Sequence, residues 1–259
     1  MAFSPEERQR YARHLDLPGF GARAQERLRA GRVLVVGCGG LGSPALYYLA
    51  AAGVGRLGLM DSDHVDISNL QRQILHATPD IGRPKVDSAV GRLRALNPHV
   101  RLDPLPERLT ADNARDLFAP YDLVLDCTDN FAAKYLVNDV CVAVKKPYVH
   151  ASISGFCGQL LTVLPSRSAC LRCIFPVPPP LASPEAAPAA GPLGAVPGVI
   201  GSLQAVEAIK LLAGIGAPLT DVLLTYDGLE TEFRPIHAKR KHACPACGGG
   251  APTPEQSHG

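Results

Sequence analysis

The chain contains no tryptophan, two methionines and 5% aromatic residues in all, so its core must be built from aliphatic side chains. It also has no block of like charge. Its 26 basic and 24 acidic residues are mixed along the sequence and leave a formal charge of +2, which creates no field for nucleic acid, and no nucleic-acid partner is expected. No apolar run approaches the ~20 residues of a membrane span. Residues 1–30 are charged and lack the apolar centre of a secretory signal, and a cytoplasmic protein with no membrane attachment is expected. What is plentiful is glycine (25), proline (24), cysteine (8) and a 46% hydrophobic content over 259 residues, enough for one large α/β domain or two small ones.

Ser4-Pro5-Glu6-Glu7 places an N-cap, a proline at the first helical position and a reciprocating glutamate in order, predicting a helix to about Leu15. Residues 33–36 form a β-branched run that stops at Gly37. Residues 41–52 have helical composition and end at Gly53, and residues 57–60 read as a second strand. Such a β-α-β unit is parallel and right-handed. The alternation continues with a helix over 85–96, strands over 100–105 and 123–126, and a helix after Asn130, which makes the fold class α/β with a Rossmann-like doubly wound sheet. Beyond Pro147, strands over 148–153 and 159–164, a helix over 199–212 and strands over 222–226 and 230–236 predict a mixed or antiparallel C-terminal extension. Prolines crowd between Pro176 and Pro197, where a long exposed loop without regular structure is expected.

Gly37-Cys38-Gly39-Gly40-Leu41-Gly42 fits the G-x-G-x-x-G pattern between a strand and a helix. Glycines 37, 39 and 42 suit a tight turn, close approach to a phosphate or ribose and close helix packing. Asp61, nineteen residues after Gly42 at a strand end, can accept from ribose hydroxyls. NAD and ATP are both open on these features. The polar segment that follows, with Asp63, Asn69 and Arg72, and then Lys85 at the next helix start, suits adenylation. There a carboxylate attacking an α-phosphate expels pyrophosphate, and Arg, Lys and Mg²⁺ neutralise the charge. Taken singly, Arg72 also reads as a surface arginine and Lys85 as an ordinary first-turn residue. Asp129, beside Asn130 past another strand end, is either a Mg²⁺ ligand or the cap of the following helix.

Cys170-Leu171-Arg172-Cys173 and Cys244-Pro245-Ala246-Cys247 are two C-x-x-C pairs, and four thiolates make a closed, structural zinc site. A redox dithiol or two disulfides is the competing use, less suited to a cytoplasmic chain. The remaining cysteines, 38, 127, 141 and 157, lie in or beside predicted elements and read as small buried hydrophobes. Residues 239–242 read as a solvated basic face.

Taken together, Arg10-Tyr11-Ala12-Arg13-His14, the glycine loop, Ser68-Asn69-Leu70-Gln71-Arg72-Gln73, Gly82-Arg83-Pro84-Lys85, Cys127-Thr128-Asp129-Asn130 and Gly198-Val199-Ile200-Gly201-Ser202-Leu203-Gln204 resemble, in order, the MoeB and ThiF branch of the E1-like activating enzymes. The resemblance implies a single domain over 1–259: an N-terminal helical arm (1–30), a nucleotide-binding half (31–150) and a carrier-binding and zinc half (151–259). It implies that Gly40, Asp61, Asn69, Arg72 and Lys85 contact ATP, that Asp129 holds Mg²⁺, and that the enzyme is a homodimer in which Arg13 reaches the partner's phosphates. The activity implied is adenylation of the Gly-Gly terminus of a ubiquitin-like sulfur-carrier protein, with residues 151–156 and the proline-rich loop as candidate contacts. Where thioester-forming members carry a loop cysteine, residues 185–191 have none, which points to adenylation without a covalent enzyme intermediate and to a separate sulfur donor. The competing functions are an NAD-dependent oxidoreductase and a non-catalytic E1-like binding module.

Overall fold

The computed structural model describes residues 3–179 and 191–248. Three short helices open the chain: α1 (Pro5–Arg10), α2 (Ala12–Leu15) and α3 (Gly21–Ala30). The capping box forms as expected, with Ser4 Oγ accepting from Glu7 N at 3.1 Å and Ser4 N donating to Glu7 Oε2 at 2.8 Å. The expected single helix breaks at Tyr11, however. That ring is buried at 4% exposure, and its hydroxyl accepts from Asn97 Nδ2, so tertiary anchoring outweighs helix continuity.

There follow β1 (Arg32–Val36), α4 (Gly42–Ala51), β2 (Arg56–Met60), α5 (Lys85–Leu96), β3 (Arg101–Leu105), α6 (Ala114–Phe118), β4 (Leu123–Asp126) and α7 (Phe131–Ala143). The chain continues with β5 (Tyr148–Ser154), β6 (Cys157–Val163), α8 (Leu171–Ile174), α9 (Ala195–Ala213), β7 (Val222–Asp227) and β8 (Glu232–His237). One eight-stranded sheet has the order β3-β2-β1-β4-β5-β6-β7-β8, parallel from β3 to β5 and antiparallel from β5 to β8. Pro104 is tolerated in β3 because that strand is an edge and its missing N–H leaves no ladder partner unpaired.

Alternation along the strands divides the core between the two faces of the sheet. Val33 and Val35 of β1 pack with α4, α5 and α9, while Leu34 and Val36 face α6, α7 and the cysteine pairs. Helix α9 is apolar and long enough to cross a membrane by length and composition, and here it packs on α3, α4, β5 and β6. It starts earlier than expected: Ala195 to Pro197 are helical, since a proline in the first turn lacks only an N–H that has no intrahelical acceptor. The front of the proline-rich segment is also held, by Tyr135 Oη donating to Val177 O at 2.8 Å and Arg172 Nη1 donating to Pro176 O at 2.9 Å.

Candidate functional site

The strand order reverses between β1 and β4, and at the C-terminal ends of β1, β2 and β4 lies a cleft of 570 Å³. Its floor is the glycine loop. Gly37 sits at φ +104°, and a Cβ there would lie 2.5 Å from Cys127 O; at Gly42 a Cβ would lie 1.9 Å from Gly37 O. The first glycine permits the turn and the last permits helix α4 to start directly behind it. Gly37, Gly39 and Gly40 therefore line the cleft, and Gly42 is buried in the first turn of α4.

Asp61 ends β2. Its Oδ2 accepts from Cys38 N at 2.8 Å and its Oδ1 from Asp63 N at 2.9 Å. Burial pushes the carboxyl up, opposed by Lys85 and these two N–H donors. Lys85 is 7% exposed at its side chain, and its Nζ meets Asp63 Oδ2 at 2.9 Å, a carboxylate that is itself 66% exposed. A tight turn at Asn69, whose carbonyl accepts from Arg72 N and Gln73 N, brings Arg72 beneath Gly40; Arg72 Nη1 donates to Ser68 O at 3.2 Å. Asn69 itself and Arg13 do not line the cleft, and Arg13 is exposed on α2.

Asp129 is exposed on the opposite lip. The helix it was a candidate to cap is capped by Asn130, whose Oδ1 accepts from Ala133 N at 2.9 Å. Among the described residues the Asp129 carboxylate has one weak donor, Asn130 Nδ2 at 3.4 Å, and it faces a cleft that also holds Glu107 and Arg108. The only buried side-chain polar atom without a partner among the described residues, Gln73 Oε1, is in this cleft as well.

Beneath Asp129, Asp126 is fully buried between Lys134 Nζ at 3.6 Å and His150 Nδ1 at 2.7 Å. Burial alone would raise its pKa, but Lys134, then His150 and Thr128, bring it down to about 2. A second cavity, 590 Å³ and mostly apolar, lies beside the cleft; Phe131, Tyr135, Phe175 and Val177 are among its walls, and Ile153 and Ser154 belong to both spaces. Cys157 opens onto it and is exposed, contrary to the expectation of a buried thiol, because it begins β6 directly after the Gly155-Phe156 turn. Cys38, Cys127 and Cys141 are buried as expected.

The two C-x-x-C pairs converge. All four Sγ atoms lie within 4.8 Å of one another, with Sγ–Sγ distances of 3.9 Å (170–173), 3.6 Å (170–244) and 3.4 Å (173–247). Four ligands at the usual Zn–S distance stand ~3.8 Å apart, whereas a disulfide needs ~2.05 Å. The donor set and spacing fit one tetrahedral metal ion.

The ThiF family model matches residues 11–246, which takes in every element from the turn at Tyr11 through β8 and three of the four clustered cysteines. The chain belongs to the ThiF family. Among its relatives, the sulfur carrier protein adenylyltransferase of Thermus thermophilus is 48% identical over 253 residues, covering 96% of this chain and 93% of that protein. The SAMP-activating enzyme E1 of Haloferax volcanii is 44% identical, covering 93% and 89%. The adenylyltransferase and sulfurtransferase MOCS3 of Bos taurus is 49% identical over 95% of this chain, which spans only 54% of that longer protein. A solved structure of Escherichia coli MccB with MccA-N7isoASN superposes with a TM-score of 0.83 at 23% identity over 95% of this chain and 75% of that one, a likeness of fold.

Three features in or beside the cleft escaped the sequence reading. Glu107 and Arg108 follow β3, and the rule that ligands gather at the C-terminal ends of parallel strands singles them out once Leu105 is paired with Met60. Thr128 and Gln73 sat inside recognised motifs without an assigned role. The Asp126–Lys134–His150 cluster left no signal, because an aspartate ending an apolar strand reads as a strand stop. The cysteine-free stretch 185–190 lies outside the described residues.

Proposed function

We propose that this chain is an adenylyltransferase that uses ATP to activate the C-terminal carboxylate of a small ubiquitin-like sulfur-carrier protein ending in Gly-Gly. The observation that carries the reading is the convergence of Gly40, Asp61, Arg72, Lys85 and Asp129, far apart in sequence, on one cleft at the switch point of the sheet. The names of the Thermus and Haloferax relatives support the substrate class. An NAD-dependent oxidoreductase has no use for this set of cations and carboxylates.

A carrier carboxylate oxygen bonds to the α-phosphorus, the bond to the bridging oxygen breaks, and the electron pair leaves with pyrophosphate. Arg72 and Lys85 are the cations for the phosphoryl and leaving-group oxygens, and Asp61 is the acceptor for ribose hydroxyls. Lys85 is suited to the exchange because its present partner is an exposed carboxylate, which water resolvates cheaply when a phosphate takes its place. Asp129, with the cap role filled by Asn130, is the carboxylate to hold Mg²⁺, which when bound supplies further neutralisation of phosphate charge. Gln73 Oε1 is a buried acceptor without a partner in the wall of the same cleft. The carrier tail would approach along the end of β5, where the apolar cavity meets the cleft at Ile153 and Ser154.

The four cysteines hold a structural Zn²⁺, and thiolates of this kind suit a reducing cytoplasm. The enzyme acts as a homodimer, Arg13 serving the partner's site. Residues 185–191 offer no thiol for a thioester on that loop, and a separate protein donates sulfur. ATP–pyrophosphate exchange tests the reading: exchange that requires the carrier protein supports it, and exchange that ignores the carrier contradicts it.

A further inference from the structure

His76 lines neither cavity and is 6% exposed, yet both of its ring nitrogens are engaged with groups that build the cleft. Nε2 lies 3.0 Å from the carbonyl of Cys38, an acceptor, so Nε2 carries the proton. Nδ1 is then the acceptor for Ser88 Oγ at 2.9 Å. Ser88 stands on α5 one turn beyond Lys85 and on the same face. Lys85 reaches Asp63, the Asp63 N–H reaches Asp61, and Asp61 accepts the N–H of Cys38. The contacts close a ring. Cys38, in the middle of the glycine loop, is gripped at its N–H by the carboxylate of the cleft and at its carbonyl by His76.

We propose that His76 is a positioning residue that sets the glycine loop, Asp61 and the Lys85 helix in register for the nucleotide. It acts through Cys38 and Ser88 and does not touch the ligand. Its backbone N–H also bonds to Gln73 O at 3.0 Å, so the turn that carries Arg72 and Gln73 is tied into the same ring. The inference rests on the cleft being the nucleotide site.

A buried carbonyl deprived of its donor favours local opening, and opening of this loop exposes the Cys38 thiol. Cys141, equally buried at 0% exposure but packed on the other face of the sheet, serves as an internal reference. The test is site-resolved mass spectrometry of iodoacetamide labelling on the full-length protein without nucleotide. His76→Leu should speed labelling of Cys38 by about tenfold or more while leaving Cys141 unchanged. His76→Gln, whose amide can still donate to the Cys38 carbonyl, should recover most of the protection. Ser88→Ala, a milder change that guards against misfolding of the leucine variant, should show the same selectivity with smaller size. In pyrophosphate exchange, His76→Leu should raise the KM for ATP more than it lowers kcat.

Equal acceleration at Cys38 and Cys141, or no change at Cys38, would overturn the role of His76. Failure of Mg-ATP to slow Cys38 labelling in the wild type, with the variant contrast intact, would count instead against the cleft as a nucleotide site.

Discussion

Asp126 has no exposed surface, and a lysine, a histidine and a threonine hold it ionised. A carboxyl held at about 2 rather than 3.8 favours the folded state above its ordinary value, and that contribution fades as pH falls from there toward 2. Asp126→Asn strands Lys134 without its counter-charge and should cost roughly 3–5 kcal/mol at pH 7. Guanidinium unfolding at pH 7 and pH 3 checks the sign, with Asp126→Asn compared against its parent in a His150→Gln background, because burial lowers that imidazole and Asp126 raises it. The gap should narrow at pH 3, and a constant gap would refute the assignment. For the reaction, Arg72→Ala or Lys85→Ala should lower carrier-dependent exchange by about 10²–10³-fold with the fold intact by circular dichroism. Which residues meet in the cleft was legible in the sequence only from their order taken together. Asp129 was as good a helix cap as a metal ligand until the structure placed Asn130 in the cap, and Asp126 could not be read at all because its partners come from α7 and β5.

At the scale of elements, the glycine loop and α5 were legible because their signals are local: a glycine turn after a β-branched run, and apolar spacing closed by Asn97-Pro98. The break at Tyr11 and the early start of α9 were not, since the first depends on a buried hydroxyl contact to Asn97 and the second on how a first-turn proline is accommodated. The cysteine clip joins the α8 turn to the segment after β8. Cys173→Ser should remove the metal, measured as loss of about one zinc per chain by elemental analysis. The same change should lower the thermal midpoint by roughly 10 °C, on the basis of ~2–4 °C per kcal/mol for a chain of this size. A variant that keeps both its zinc and its midpoint would show that the four thiols are not one site.

For the whole molecule, the parallel half and the antiparallel extension were both legible, because strand alternation with helices gives way after Pro147 to consecutive strands. What a single chain cannot express is a site shared between copies, and here Arg13 stands exposed and away from its own cleft. If it serves the partner, Arg13→Ala and Lys85→Ala proteins, each inactive alone, should regain about a quarter of wild-type exchange when co-refolded, since a mixed dimer holds one intact site. No recovery, with mixed dimers shown to form, would place Arg13 outside the reaction. The central claim, adenylation of a Gly-Gly carrier, is tested most directly by incubating the protein with Mg-ATP and candidate carriers and weighing the carrier by intact mass spectrometry. The expected result is a carrier heavier by one AMP moiety, lost again on hydroxylamine treatment and absent with Lys85→Ala. An unmodified mass with every Gly-Gly carrier, from protein that binds ATP, would contradict the claim.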